Sequence, residues 1–376
     1  MAAYTTIDDP SAHFQAAIYE GTTSTRKTVT NTGNSDLKPG LFWFKNRDGN
    51  APHVIADTNR GANNADGGYT IASNPNSTAV EVAEAKGIMT ITSNGFTVEE
   101  MTSAAGNVNS DSMVCWQWKG SGQGTGVGTD VSESGDNPGF KRQTNATAGF
   151  STILYTGTGA VGTIAHGLNS APKFMMIKSG PTTDNWAVYY GDPTDYLVLN
   201  TVTAGVDSAA WWNDTAPTSS VFTVGTDHSV NENAKGYIAY VWAEVQGYSK
   251  FGTYKGTGSG TADGTFDGPF VYTGFKPAWL MCKRTSYSAG DGWTMYDNTR
   301  PPRGGVTTGN YISNKFGADS TAAESGDVYD AVDFLSNGFK LRTGRGGTNA
   351  NGSTYTYYAF AENPFVTSTG IPTTAR

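Results

Sequence analysis

Cysteine is almost missing from this chain, with 2 among 376 residues. Cys115 and Cys282 sit in separate apolar stretches, far from any CxxC or Cys/His spacing. That excludes a disulfide framework and reads both as buried free thiols. Histidine is nearly as scarce: His13, His53, His166 and His228 are scattered and none lies in an HExxH pattern, so a zinc centre lacks a ligand set. Charge is sparse too, at 15%, and basic residues number 25 against 33 acidic ones, for a net charge of −8. A phosphate-reading surface needs concentrated Lys and Arg, so nucleic acid is excluded as a partner. The one short basic stretch, Lys340-Leu341-Arg342-Thr343-Gly344-Arg345, reads as a solvated face. No apolar run approaches bilayer length, and the amino end lacks a basic start followed by an apolar stretch. The expectation is a soluble chain without a signal peptide and without membrane insertion.

What the chain does have is glycine, 48 residues, together with abundant Thr, Ser and Asn and 12% aromatics. That mixture favours short strands and many turns over helices. Three times a Pro is followed six residues later by a Lys across an apolar run: Pro39 to Lys45, Pro172 to Lys178 and Pro277 to Lys283. The runs between them suit strands buried on both faces. The match extends upstream to Tyr19-Glu20-Gly21-Thr22, Tyr155-Thr156-Gly157-Thr158 and Tyr254-Lys255-Gly256-Thr257, each read as a turn whose Gly takes positive φ. Downstream, a second strand begins at His53, Trp186 and Trp293, and a third marker surrounds Phe96, Phe222 and Phe339. His53 stands where the other units have Trp, which marks it as a packing residue. Each unit closes on an aromatic nine residues after an Asn: Asn109 to Trp118, Asn233 to Trp242 and Asn351 to Phe360.

An internal repeat of this reach predicts an all-β protein made of three related β-sandwich units with a few short helical turns. The units span 13–119, 148–246 and 247–365. They are flanked by an amino-terminal arm, 1–12, and a tail, 366–376. The Gly- and Ser-rich segment 120–147 reads as a linker, whereas the short join Glu244–Lys250 predicts rigid packing of the second and third units. Thr78-Ala79-Val80-Glu81 and Thr321-Ala322-Ala323-Glu324 carry a capping-box pattern and predict one helical turn each. The middle unit has Ser208-Ala209-Ala210-Trp211 in that region, without the Glu.

Catalytic patterns are poor. No Gly-x-Ser-x-Gly elbow is present, and Gly157-Thr158-Gly159 lacks the Lys and helix that phosphate binding requires. The closest carboxylate clusters, Glu81 with Glu84 and Glu99 with Glu100, do not sit on alternate positions of one strand as a glycosidase pair would. No cofactor is expected. Asp263-Gly264, Asp267-Gly268 and Asp291-Gly292 offer loop oxygens for structural Ca2+, although turn formation explains them as well. The candidate ligand surface is Trp211, Trp212, Asn213 and Asp214, where stacking planes adjoin hydrogen-bonding groups; the alternative is that the two rings fill the core.

Three segments carry a resemblance. Tyr237 to Gly252, Gly268 to Ala278 and Tyr358 to Phe365 resemble repeat domains in virion structural proteins of marine tailed phages. The likeness is strong over the second and third units and weaker over the first, which makes that unit the candidate for docking or assembly. It implies concanavalin-like or jelly-roll sandwiches and a place on the virion surface, and with the poor catalytic patterns the expectation is a noncatalytic protein. The implied role is a tail-fibre or receptor-binding component attaching to host surface glycan by many weak contacts. The alternative is a decoration protein of capsid or tail that braces neighbouring subunits. Implied partners are other virion proteins and further copies of the chain, as a homotrimer.

Overall fold

The computed structural model describes residues 3–22, 25–61, 69–72, 74–101, 106–121, 129–258, 267–287, 291–300, 311–326 and 330–373. The protein is all-β and antiparallel throughout its named strands. The same four-strand order recurs three times. In the first unit it is Phe14–Glu20, Ser112–Lys119, Pro39–Asn46 and Val54–Asp57. In the second it is Phe150–Thr156, Gly236–Ala243, Pro172–Ser179 and Ala187–Tyr189. In the third it is Ser249–Lys255, Thr354–Pro364, Phe275–Arg284 and Thr294–Asp297.

Each four-strand layer has apolar residues on both faces because each face meets a different layer. On Pro39–Asn46, alternation sends Phe42 and Phe44 towards Phe96 and Val98 of the unit's own second sheet. Leu41 and Trp43 point the opposite way, into a core shared by all three units. The second and third units repeat this, with Met175 and Ile177 facing Phe222 and Val224, and Leu280 and Cys282 facing Phe339 and Leu341. The closing aromatics meet at the centre. Ring centroids of Trp118 and Trp242 lie 6.0 Å apart, Trp118 and Phe360 5.5 Å, and Trp242 and Phe360 6.5 Å, a triangle of contacts about a pseudo-threefold axis. The three sandwiches are therefore one body around one core.

The turn that opens each unit is held identically. The hydroxyls of Tyr19, Tyr155 and Tyr254 donate to the carbonyls of Gly106, Val230 and Thr348. The amides of Thr22, Thr158 and Thr257 donate to the side-chain oxygens of Asn107, Asn231 and Asn349. The important Asn is thus two residues upstream of the one that the nine-residue spacing singles out. The turn glycines are needed for close approach and not for positive φ. A Cβ at Gly21, Gly157 or Gly256 would stand 1.7, 2.3 or 2.2 Å from the carbonyl oxygen of Val108, Glu232 or Ala350.

Two further expectations are corrected. The segment 120–147 is not simply a linker: Thr129–Val131 and Phe140–Asn145 pair with each other and extend the second unit's sheet beyond Phe150–Thr156. Its first unit contacts are close, since Thr58 Oγ1 donates to Gln143 at 2.7 Å and Asn59 Nδ2 to the Lys141 carbonyl at 3.1 Å. Residues 122–128, the glycine-rich part, lie outside the described residues. Neither capping-box segment forms a helical turn. The amide of Glu81 instead donates to Gly180 in the second unit, and that of Glu324 to Arg47 in the first, both at 2.9 Å. A neighbouring carbonyl satisfies the amide that the helix would have capped. Among the described residues the short α-helices are Ala209–Trp212, His228–Asn231 and Gly346–Asn349, the first opened by Ser208, in the unit whose pattern lacks the Glu, and Pro10–Ala12 forms a 3-10 turn. The amino-terminal arm docks on its own chain, burying Ile7 in the shared core while Thr5 Oγ1 donates to the Gln246 carbonyl at 2.7 Å.

Candidate functional site: buried seams and an outer aromatic strand

Two clusters of buried charged side chains lie where units meet. In the first unit Asp57 accepts from the amides of Asn59 and Arg60 and binds the Arg60 guanidinium at 2.6 Å. Tyr240 of the second unit donates to the same carboxylate at 2.8 Å, and Arg60 also reaches Glu81 at 2.9 Å. The third unit repeats the device against the first: Asp297 holds Arg300 at 2.6 Å, accepts from Trp116 Nε1 at 2.9 Å, and Arg300 binds Glu324 at 2.8 Å. Arg47 adds a two-pronged contact to Glu324, at 2.9 Å on each arm. Burial alone would raise the Glu324 pKa, but the bonds from Arg47 and the charges of Arg300 and Arg47 outweigh it and hold the pKa low.

The seam between the second and third units is built differently. Its counterparts of Asp57 and Arg60 are Tyr190 and Pro193. In the place of Glu81 stands Gly205, whose amide donates to the Thr285 carbonyl as those of Glu81 and Glu324 donate to Gly180 and Arg47, which moves the match off residues 208–211. There the Tyr190 hydroxyl donates to Asp195 at 2.9 Å, and a Cβ at Gly205 would come within 2.8 Å of that hydroxyl. Two of the three repeated lysines join units in a related way. Lys45 Nζ donates to the Thr321 carbonyl of the third unit at 3.2 Å, and Lys178 Nζ to the Thr78 carbonyl of the first at 3.3 Å. Burial pulls the pKa of Lys45, Lys178 and Lys283 down to about 8. These acids and bases are structural: they bind one another or backbone.

The quartet picked out by sequence divides. Trp211 is buried and stacks on Tyr196 with centroids 3.7 Å apart; Trp212 is buried edge-on against Tyr189. Their faces are spent on core packing, which corrects the reading of them as a ligand surface. Asn213 and Asp214 are exposed, at φ 52° and 48°, in the turn that ends the helix. Of the Asp-Gly turns, Asp263-Gly264 lies outside the described residues. Asp267 pairs with Lys340, and Asp291 binds Arg284 at 2.7 Å and, through its carbonyl, Lys283 at 2.6 Å. In the basic stretch Lys340 and Arg342 are matched by Asp267 and Asp333, in keeping with a solvated face. Glu99 pairs with Arg26 at 2.8 Å.

Sequence reasoning missed a different surface. The edge strand of each unit's second sheet places equivalent residues opposite Phe96, Phe222 and Phe339: Val29, Ile164 and Val271, all directed inward. Flanking outward positions hold Thr28 and Thr30 in the first unit, Thr163 and Ala165 in the second, but Phe270 and Tyr272 in the third. Those two rings are 46% and 54% exposed, so about half of each faces solvent. Tyr4 of the amino-terminal arm adjoins them, its hydroxyl 3.5 Å from that of Tyr272 and donating to the Gly274 carbonyl at 2.7 Å. Aligning the three edge strands would have revealed the departure.

No curated protein matches the sequence. Among solved structures, one titled Crystal Structure of the STIV MCP aligns over 62% of this chain and 91% of its own, at 10% identity and a TM-score of 0.18, a superposition too loose to bear on fold or function. A family model described as a domain of unknown function, DUF7483, matches residues 9–364, which takes in all three sandwiches. The chain belongs to the DUF7483 family.

Proposed function

We propose that this chain is a noncatalytic structural protein of a phage virion, exposed on the particle, where it serves in a tail-fibre or receptor-binding assembly that attaches to host surface polymer. The observation that carries the reading is the way the interior charges are used. The Asp57–Arg60–Glu81 and Asp297–Arg300–Glu324 clusters are committed to joining units, so the chemistry left to the molecule lies on its outer faces. The likeness of Tyr237 to Gly252, Gly268 to Ala278 and Tyr358 to Phe365 to virion repeat domains supplies the setting. Repeated display of one rigid block converts weak contacts into avidity.

A decoration protein on capsid or tail is the second reading, favoured by the pseudo-threefold core. A block of this shape presents three related faces to neighbours and has no elongated shaft among the described residues. Gold-labelled antibodies against the chain, applied to particles from lysed producing cells, are expected to mark the particle surface. Label at the tail tip supports attachment, label over the capsid or along the tail supports decoration, and particles without label overturn both.

A further inference from the structure

We propose that the outer edge of the third sandwich, Phe270 and Tyr272 with Tyr4 beside them, is a stacking platform for a neutral polysaccharide. The inference rests on the attachment reading and gives it a site and a ligand class. Its starting point is an internal control. The first and second units build the same edge strand with Thr28 and Thr30, and with Thr163 and Ala165, so the sandwich does not need aromatic rings there to fold. Phe270 and Tyr272 lie at i and i+2, on one face of the strand and about 7 Å apart, which aligns both rings with a linear chain laid across them.

The surroundings select the occupant. Lys340 stands opposite Phe270 across the ladder, and Asp333 stands opposite Lys340 on the next strand. Lys340 is paired with Asp267 and Arg342 with Asp333, so the patch carries donors and acceptors with no excess of either sign. Hydroxyl-rich, uncharged sugars match that balance: their C–H faces cover the rings while the hydroxyls reach the flanking side chains. A second copy of the chain is a poorer fit. Two half-exposed aromatics offer about 200 Å2, whereas a stable interface needs roughly 800 Å2 per partner.

The test applies the full chain and its Phe270→Thr/Tyr272→Thr variant, which copies the first unit's edge strand, to an array of neutral β-glucans, mannans and galactans with their sulfated counterparts. The wild type is expected to bind neutral glycans and the variant to bind roughly tenfold or more weakly, with its thermal midpoint unchanged. Equal binding by both proteins overturns the site and leaves the attachment reading standing. Binding to sulfated glycans alone overturns the ligand class. A concentration-dependent dimer that the variant abolishes makes the occupant a second copy and overturns the proposal. Silence of both proteins on the array overturns the proposal and counts against glycan attachment as well.

Discussion

His53 shows how a repeat absorbs a substitution by changing its partner. Trp43 Nε1 donates to His53 Nδ1 at 2.9 Å, and indole is only a donor, so His53 Nδ1 is unprotonated and Nε2–H donates to the Gly317 carbonyl at 3.0 Å. Trp186 and Trp293 make the corresponding bond across to a neighbouring unit, to the carbonyls of Asn74 and Val198, as His53 does to Gly317. The register explains the exchange, because Trp43 is matched by Met176 and Met281 in the sister strands. One unit holds Trp with His where the others hold Met with Trp. His53→Trp alone should therefore overpack the site and orphan the Trp43 indole, costing about 1–3 kcal/mol, while Trp43→Met/His53→Trp should recover to within about 1.5 kcal/mol of wild type. Burial, with the nearby charge of Lys45, holds the His53 pKa well below its ordinary value. The folded protein then binds fewer protons than the unfolded chain below about pH 6.5, so this stabilisation is complete above that value and is lost as pH falls towards the folded-state pKa. Urea midpoints should drop more between neutral and mildly acidic pH for wild type than for the double variant; equal drops would refute the account.

At the scale of the element, the opening turn of each unit depends on one Asn. Asn231 accepts the Thr158 amide at 2.8 Å and donates to the carbonyls of Ala160 and Gly225, at 2.5 and 2.9 Å. Removing it leaves a half-buried amide and two carbonyls without that partner. Asn231→Ala should cost about 2–4 kcal/mol, and exposed Asn233→Ala within about 0.5 kcal/mol, in denaturant titrations. Similar losses would mean that the spacing Asn matters as much as its neighbour. The nine-residue spacing found the right closing aromatics, Trp118, Trp242 and Phe360, but the wrong amide. Local pattern does not say which of two asparagines faces the turn. The capping-box segments failed for a related reason. A Thr and a Glu three apart can cap a helix only if the amides remain unclaimed, and at Glu81 and Glu324 another unit claims them.

For the whole molecule, the shared core predicts shared stability. Arg300 is fully buried and binds Asp297 at 2.6 Å and Glu324 at 2.8 Å, with the Phe316 ring 4.6 Å from the guanidinium. Arg300→Met would strand the buried Asp297 carboxylate and leave Glu324 with Arg47 as its remaining guanidinium, at about 3–5 kcal/mol. Because those carboxylates join the third unit to the first, and both rest on the second, the loss should lower one cooperative transition and not detach one sandwich. Calorimetry is expected to give a single endotherm for wild type and for Arg300→Met, shifted down in the variant. Separate transitions for individual units would show that the common core does not couple them.

The amino-acid sequence by itself determined the all-β class, the threefold repeat and the strands covered on both faces, because these follow from side-chain alternation and turn residues, which act over a few positions. It also made His53 a packing residue. Only the tertiary structure decided what covers the second face of each strand, where the closing aromatics gather, and that Asp57 with Arg60 and Asp297 with Arg300 join units. Contacts between residues far apart in the chain leave no local period. Exposure is decided at the same level: Trp211 and Trp212 fill the core of the second unit, whereas Phe270 and Tyr272, from a strand with the same alternation, are 46% and 54% exposed, with no further layer over that outer sheet among the described residues.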